Sequence, residues 1–254
     1  MQFDYNFMLL AMIFMRMSGC ILFNPILGRK NIPVILNIGL CLLLSFFVYP
    51  LVPQQELVLS SFFIFFITAL RELLIGFVIG FIVNMFLAIF VVNGEIMDMQ
   101  IGFAMSKVYD PQSNVSMPLS ASLINAMFFL IFFAVNGHLT LIQIFTKLCT
   151  MLPYGTFSIN TSALWELGSL FSLILVYAVK MSLPVLAAGI ITEVGVGLIM
   201  KAVPQINVFV INIQLKLIMG LLVILLMVPT LANFLEKIIL FMFDYISKIF
   251  GLLT

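Results

Sequence analysis

Hydrophobic residues gather in long runs separated by short polar turns, a pattern that predicts a chain of apolar helices. The runs over residues 7–23 and 33–49 are each close to the length that crosses a bilayer. The runs over 57–92 and 167–200 are too long, since a helix rises ~1.5 Å per residue and the hydrocarbon core is ~30 Å thick. We expect the first of these to project far outside the membrane or to fold as two helices. We expect Pro184 to interrupt the second.

Shorter segments complete the predicted set of helices. One helix is expected over residues 118–135, and an Asn-Gly pair closes it. The segment 139–152 is amphipathic, and we interpret it as an interfacial helix rather than a membrane span. The last long apolar helix is predicted over 206–228, where Pro229 ends it.

The central segment, residues 94–118, differs from the apolar runs on both sides. An Asn-Gly pair at its start is expected to cap the preceding helix. Its charged residues make it too polar to span a bilayer: Glu95, Asp98, Lys107 and Asp110. It is also too apolar for a solvated loop, because its methionine and aromatic side chains need burial. We therefore predict a re-entrant or pore-lining segment, or a loop packed on a neighbouring subunit.

The composition fixes the class of protein. Of the 254 residues, 64% are hydrophobic and only 8% are charged, whereas soluble domains have roughly 45–50% and 25%. The chain is therefore predicted to be an all-α integral membrane protein or an obligate part of a hydrophobic assembly. A net charge of +1 without a basic patch argues against nucleic-acid binding.

Several charges fall inside apolar runs, where a lipid-facing charge would cost ~2.5–3.5 kcal/mol. We predict that they face protein and are paired within an assembly: Arg71, Glu72, Lys180, Glu193 and Lys216. Lys216 shares a polar stripe with Asn212 and Gln205 on its predicted helix. Gly76 and Gly80 form a G-x-x-x-G step that would let another helix approach closely.

The residues show no sign of enzyme chemistry or of a cofactor site. The sequence has no HExxH, G-x-S-x-G, Walker or Rossmann pattern. One histidine, His138, and three dispersed cysteines do not suggest a metal site. Glu95 and Asp98 stand three residues apart and would share a helix face. The favoured interpretation of this pair is a solvated loop face, and acid–base or proton chemistry is the alternative.

The central motifs resemble the FliR and SctT family of type III secretion export-gate proteins. The likeness covers nearly the whole chain and is sharpest between residues 94 and 155. The motifs that carry it are Gly94-Glu95-Ile96, Met99-Gln100-Ile101-Gly102-Phe103, Tyr109-Asp110-Pro111, Met117-Pro118, Asn136-Gly137-His138-Leu139, Leu152-Pro153 and Ala202-Val203-Pro204-Gln205-Ile206-Asn207-Val208-Phe209.

The resemblance implies a single membrane domain over residues 1–254, with long kinked helices and helical hairpins packed in a hetero-oligomeric export gate. It implies FliP, FliQ and FlhB as partners, and a multi-pass location in the bacterial inner membrane, at the flagellar basal body. Unfolded export substrates would pass through the pore of that assembly. The family's pore plug corresponds here to Gly102, Phe103, Met105, Val108, Tyr109, Asp110 and Pro111. Met105 and Val108 stand where phenylalanines are common in that plug.

Three other functions compete with a flagellar export gate. One is an export-gate subunit of a virulence-type (SctT) secretion system, which genome context would distinguish. Another is a small-molecule secondary transporter, which uptake by the purified protein in liposomes would support. A third is an intramembrane enzyme that uses Glu95 and Asp98. Function that survives amide substitution of both carboxylates would exclude it.

Overall fold

The structure is a computed structural model that describes residues 5–29, 32–53, 62–103, 108–110, 115–155, 161–202 and 208–253. Nearly all of the described chain is helical, which confirms the predicted all-α class. The helices are α1 (Tyr5–Leu22), α2 (Val34–Val48), α3 (Phe62–Ile101), α4 (Leu119–Ala134), α5 (Gly137–Met151), α6 (Thr161–Ala202) and α7 (Val208–Leu253), with a 3₁₀ turn at Tyr49–Leu51. Two short strands, β1 (Val108–Asp110) and β2 (Val115–Met117), were not predicted.

Four of the described helical segments are long and apolar enough to cross a membrane, by length and composition. They comprise α2 with its 3₁₀ turn, α3, α6 and most of α7. Helices α4 and α5 form a bent pair that would add a fifth span. Asn136 separates them in a left-handed conformation, with φ 56°, where a break was predicted. The chain is a multi-pass membrane protein.

Two predicted helix ends are wrong. Helix α3 does not stop at the Asn-Gly pair but continues through Gly94 to Ile101 as one helix of 40 residues. Helix α7 does not stop at Pro229, which lies inside it. Ending either helix would leave backbone groups unpaired in apolar surroundings, whereas an internal proline removes only one backbone donor. Helix α6 likewise continues through Pro184.

The chain divides into two compact units. The first unit comprises Met1–Met85, Asn136–Leu170 and Leu240–Thr254. The second unit comprises Phe86–Val135 and Phe171–Ile239. The assignment of residues 1–254 to a single domain stays a prediction.

Glycines bring two helices of the first unit close together. A Cβ atom added to Gly19 in α1 would overlap backbone atoms of α3, and one added to Gly76 would overlap backbone atoms of α1. Gly80 lies against Phe23 in the same way. The G-x-x-x-G step therefore admits another helix, as predicted, and that helix is α1 of the same chain.

Aromatic side chains fill the core of the second unit. The ring centroids of Phe90 in α3 and Phe128 in α4 lie 5.0 Å apart. Phe128 also stacks on Phe132, with centroids 5.8 Å apart. All three side chains are buried, so they fix the end of α3 against α4.

Candidate functional site

The central segment starts from a tight contact between α3 and α4. A Cβ atom added to Gly94 would lie 2.5 Å from both the backbone nitrogen and the Cβ of Ala121. No side chain larger than hydrogen fits that space without a shift of the backbone. Gly94 is therefore a packing residue inside α3 and not the helix cap that its Asn-Gly context suggests.

A buried carboxylate ties the two ends of the central segment together. The Ser120 backbone N–H donates to Asp98 Oδ1 at 3.2 Å and to Oδ2 at 3.4 Å. The Ser120 hydroxyl donates to Oδ1 at 2.5 Å. Ser120 lies in the first turn of α4, where a helix has unpaired N–H groups and favours an anion. Asp98 thus caps a helix that begins 21 residues after it.

This geometry decides between the two interpretations of Glu95 and Asp98. Asp98 is only 2% exposed, so a solvated loop face is the wrong description of it. Both of its oxygens accept hydrogen bonds from Ser120. Glu95 is partly exposed. The carboxylate of Asp98 is therefore occupied in a structural contact, which does not favour acid–base chemistry.

Gly102 ends α3 and starts the loop. Its φ of 98° lies in the region that glycine adopts without strain, and its N–H donates to the Asp98 carbonyl at 3.0 Å. The next residue, Phe103, lines an apolar cavity of about 70 Å³ together with Met97 and Leu123. The first two predicted plug residues therefore lie at the junction between a fixed helix and a loop.

Beyond this junction the chain turns back as an antiparallel pair of strands. Val108 pairs with Met117, Tyr109 with Ser116, and Asp110 with Val115. Three predicted plug residues, Val108, Tyr109 and Asp110, thus form β1. Met105 and Pro111 lie outside the described residues. The role of these side chains in a seal stays a prediction.

The end of α3 also contacts α6 and α7 within the second unit. The Gln100 side chain lies against Gly189 of α6, so closely that a Cβ atom there would overlap it. The Ile101 side chain lies against Gly220 of α7 in the same manner. Both contacts come from the Met99–Phe103 motif, and they explain why glycines stand opposite it.

A buried ion pair joins α1 to α3 in the first unit. Arg16 donates its Nε–H to Glu72 Oε2 at 2.7 Å, and its Nη2 lies 2.5 Å from the same oxygen. Both side chains are fully buried. The other oxygen, Glu72 Oε1, accepts the backbone N–H of Gly155 at 3.0 Å. A buried pair is tolerated only when further hydrogen bonds satisfy both charges.

Arg16 also donates hydrogen bonds to carbonyls at the carboxyl end of α5. Its Nη1 donates to the carbonyls of Leu148 and Leu152, each at 2.9 Å, and its Nη2 reaches the Pro153 carbonyl at 3.5 Å. Carbonyls at a helix end lack intrahelical partners and attract a cation. The Tyr154 ring covers the guanidinium, with its centroid 3.8 Å from Cζ. One side chain thus holds α1, α3 and α5 together.

Tyr154 completes this cluster. Its hydroxyl donates to the Cys149 carbonyl at 3.0 Å. Burial raises the pKa of the Tyr154 phenol well above its usual range, nearby Cys149 adds to that rise, and the Arg16 cation opposes it. The phenol therefore stays protonated and remains a donor at neutral pH.

Glu72 was predicted to need a partner, but Arg16 was not predicted to be that partner. The available signal was a lone basic residue in the middle of the predicted helix 7–23. Glu193 of α6 contacts Lys216 of α7 in a partly exposed ion pair. Lys180 lies 5.7 Å from the Tyr177 ring, and Arg71 is exposed. The pairing of these charges within an assembly stays a prediction.

Comparison with known proteins identifies the family. A family model described as "Bacterial export proteins, family 1" matches residues 7–242. The chain belongs to this family. It is therefore a bacterial export protein and, as the resemblance implied, a subunit of a type III export gate.

Individual members of the family match over most of their length. The flagellar biosynthetic protein FliR of Escherichia coli (strain K12) is 29% identical over 240 residues, which cover 94% of this chain and 89% of that protein. FliR of Bacillus subtilis (strain 168) is 27% identical over 211 residues, or 81% and 80% of the two chains. The Yop proteins translocation protein T of Yersinia pestis is 26% identical over 241 residues, or 94% and 92%.

Proposed function

We propose that this chain helps to form and to close the channel of a flagellar type III export gate, through which unfolded flagellar proteins pass. It acts as a structural, non-enzymatic subunit together with FliP, FliQ and FlhB, in the inner membrane at the flagellar basal body. Family membership supports the export role, and the flagellar names of the first relatives support the flagellar one. The closing element is the loop over residues 102–118.

The observation that carries this proposal is the fixed base of that loop. Asp98 and Ser120 hydrogen-bond to each other across the base, and Gly94 packs on Ala121 one turn further in. In this proposal the 102–118 loop changes conformation while the helices that carry it stay in contact. Its start at Gly102 has the backbone freedom that a hinge requires.

A loop on a fixed base suits the closure of a protein-conducting channel. A pore wide enough for an unfolded chain must not leak ions when it is idle. Packed helices are held by many buried contacts, whereas a loop is held by few and opens at a small cost in free energy. Apolar side chains in the loop, such as Phe103, would exclude water from a constriction.

A loop variant tests the closing role. Deletion of residues 104–109, or their replacement by six Gly and Ser residues, should leave the complex with FliP and FliQ assembled. Because the apolar bulk is lost, the conductance of planar bilayers that contain the complex should rise. The same-length replacement controls for strain from shortening the loop. Conductance at the wild-type level in an assembled complex would show that this loop is not the seal.

Copurification tests the partners. Several helices leave apolar faces uncovered in the chain alone, most of all α7 and α2. We expect the chain to copurify with FliP and FliQ and to be degraded or aggregated without them. A stable, monodisperse monomer would contradict this expectation.

Complementation tests the flagellar assignment against the virulence one. Deletion of the gene should abolish swimming while leaving other secretion intact, and a plasmid copy should restore it. Normal swimming in the deletion strain, together with loss of another secretion activity, would favour the virulence-type system.

A further inference from the structure

A small apolar cavity lies at the base of the 102–118 loop, inside the second unit. Its volume is about 70 Å³. Protein interiors have few cavities of this size, because the atoms around a cavity lose packing contacts. Three of its lining leucines are 40–48% exposed and form its mouth, and three other lining side chains are buried and form its floor. The mouth comprises Leu119, Leu123 and Leu221, and the floor comprises Met97, Ile124 and Leu231.

The walls of this cavity belong to helices that are held together independently of the loop. Asp98 of α3 accepts hydrogen bonds from Ser120 of α4. The Ile101 side chain of α3 packs on Gly220 of α7, so closely that an added Cβ atom would overlap it. The cavity should therefore keep its shape when the loop moves.

The chemistry and the size of the cavity favour the Phe103 side chain as its occupant. The lining is apolar except for Ser120, whose hydroxyl donates to Asp98. The cavity is too small for a free aromatic molecule, since benzene binds in an apolar cavity of ~150 Å³. The half-buried ring of Phe103 already lies at the wall, so it needs only part of the volume that a free molecule would need. Gly102 precedes it, with a φ of 98°, and gives the backbone freedom to move the ring.

We propose that this cavity receives the Phe103 side chain when the export gate opens. In the closed gate the ring lies at the cavity wall. When the 102–118 loop leaves the channel, rotation at Gly102 moves the ring into the cavity. An apolar ring exposed in a water-filled channel is unfavourable, and burial in the cavity offsets that cost. The inference rests on the proposed closing role of the loop and adds to it the residue and the cavity that stabilise the open state.

Blocking the cavity tests the proposal. Leu221→Phe adds bulk at its mouth. Leu222→Phe is the matched control, because Leu222 is equally exposed but is not among the residues that line the cavity. In the complex with FliP and FliQ, Leu221→Phe should lower the export of flagellar proteins into the medium by ~5-fold or more, as one overpacked side chain would. The conductance of planar bilayers should stay at the wild-type level, because the closed state is unchanged. Equal export by the two variants would overturn the proposal.

A size-matched rescue tests the identity of the occupant. Phe103→Trp enlarges the occupant and leaves the helices unchanged, so it should lower export by ~5-fold or more. Leu123→Ala enlarges the cavity and should restore export when it is added to Phe103→Trp. Leu130→Ala, at an exposed position of α4 outside the cavity lining, should not restore it. Undiminished export by Phe103→Trp, or equal rescue by the two alanine substitutions, would overturn the proposal even if Leu221→Phe failed to assemble.

The loop replacement distinguishes failure of this inference from failure of the closing role. If replacement of residues 104–109 leaves the conductance at the wild-type level, the closing role is wrong and the inference is wrong with it. If that replacement raises the conductance but Leu221→Phe exports as well as Leu222→Phe, the loop closes the channel and the cavity does not receive Phe103.

Discussion

Replacing Arg16 with methionine should make the first unit unfold far more easily. Methionine keeps much of the side-chain length but removes the charge and every donor. Glu72 would then keep, among the described residues, only the hydrogen bond from Gly155. The carbonyls of Leu148 and Leu152 would lose their Arg16 donors as well. A carboxylate stranded in the interior is the main cost.

The expected magnitude follows from burial and from the hydrogen bonds that remain. Breaking a fully buried pair by removing one partner costs ~3–5 kcal/mol, and we expect Arg16→Met to lower the free energy of unfolding by this amount. Glu72→Gln should cost less, ~1–3 kcal/mol, because Arg16 would keep two carbonyls and the Tyr154 ring. The double variant should be more stable than Arg16→Met alone, since it buries no unpaired charge.

Pulsed thiol labelling in denaturant measures these energies inside the assembled complex. Cys20, Cys41 and Cys149 are all buried and all belong to the first unit, so maleimide reaches them only when that unit opens. Gel separation then reports on this chain alone. Lys147→Met, which removes an exposed lysine of α5, is the matched control and should change the free energy by less than ~1 kcal/mol.

Two results would refute the reasoning. One is a cost below ~1 kcal/mol for Arg16→Met, which would mean that the pair contributes no more than a surface ion pair. The other is a larger cost for Glu72→Gln than for Arg16→Met. That order would contradict the asymmetry in which Arg16 has many partners and Glu72 few.

Three further variants test other contacts. Tyr154→Phe should cost ~1 kcal/mol at neutral pH through its lost hydrogen bond. Because the folded pKa of Tyr154 is raised, wild type should also lose up to ~1.4 kcal/mol per pH unit above about 10, where unfolded tyrosine ionises. Tyr154→Phe should lack this pH-dependent loss of stability. An equal loss between pH 7 and pH 11 in the wild type and the variant would contradict the prediction. Gly94→Ala should lower chain abundance and swimming because of its contact with Ala121, whereas Gly195→Ala, with no described atom within 4 Å, should not. Equal effects of the two substitutions would count against this. Lys216→Leu breaks a partly exposed ion pair and should change the free energy of unfolding by less than ~1 kcal/mol. Impaired swimming at normal abundance is expected if Lys216 serves the assembly or the pore, and normal swimming would contradict that role.

Helix positions were predictable from sequence because apolar runs and breaks are local properties. The runs over residues 7–23 and 33–49 correspond to α1 and α2 within a few residues. Helix ends were less predictable, since they depend on tertiary contacts. The Asn-Gly pair before the central segment has the composition of a cap, but Gly94 is needed for its approach to Ala121. Proline often ends a helix, but α7 continues through Pro229.

Partners of charged residues were the least predictable feature. The sequence predicts that Glu72 avoids lipid, but its partner Arg16 lies 56 residues away in another helix. Asp98 and Ser120 are separated by 22 residues, and no local pattern marks them as a pair. The hairpin of β1 and β2 was missed because its strands have only three residues each, too few for a periodic signal.

The hydrogen bonds between Asp98 and Ser120 also mean that the 102–118 loop could be exchanged as a unit. Once the ends of a loop are fixed, each doubling of its length costs only ~0.6 kcal/mol of closure entropy. Homologous proteins and laboratory designs can therefore change the length and sequence of the loop without rebuilding the helices below it. A pair of fluorophore sites placed in the loop, with its apolar residues kept, would then report on the proposed opening of the gate.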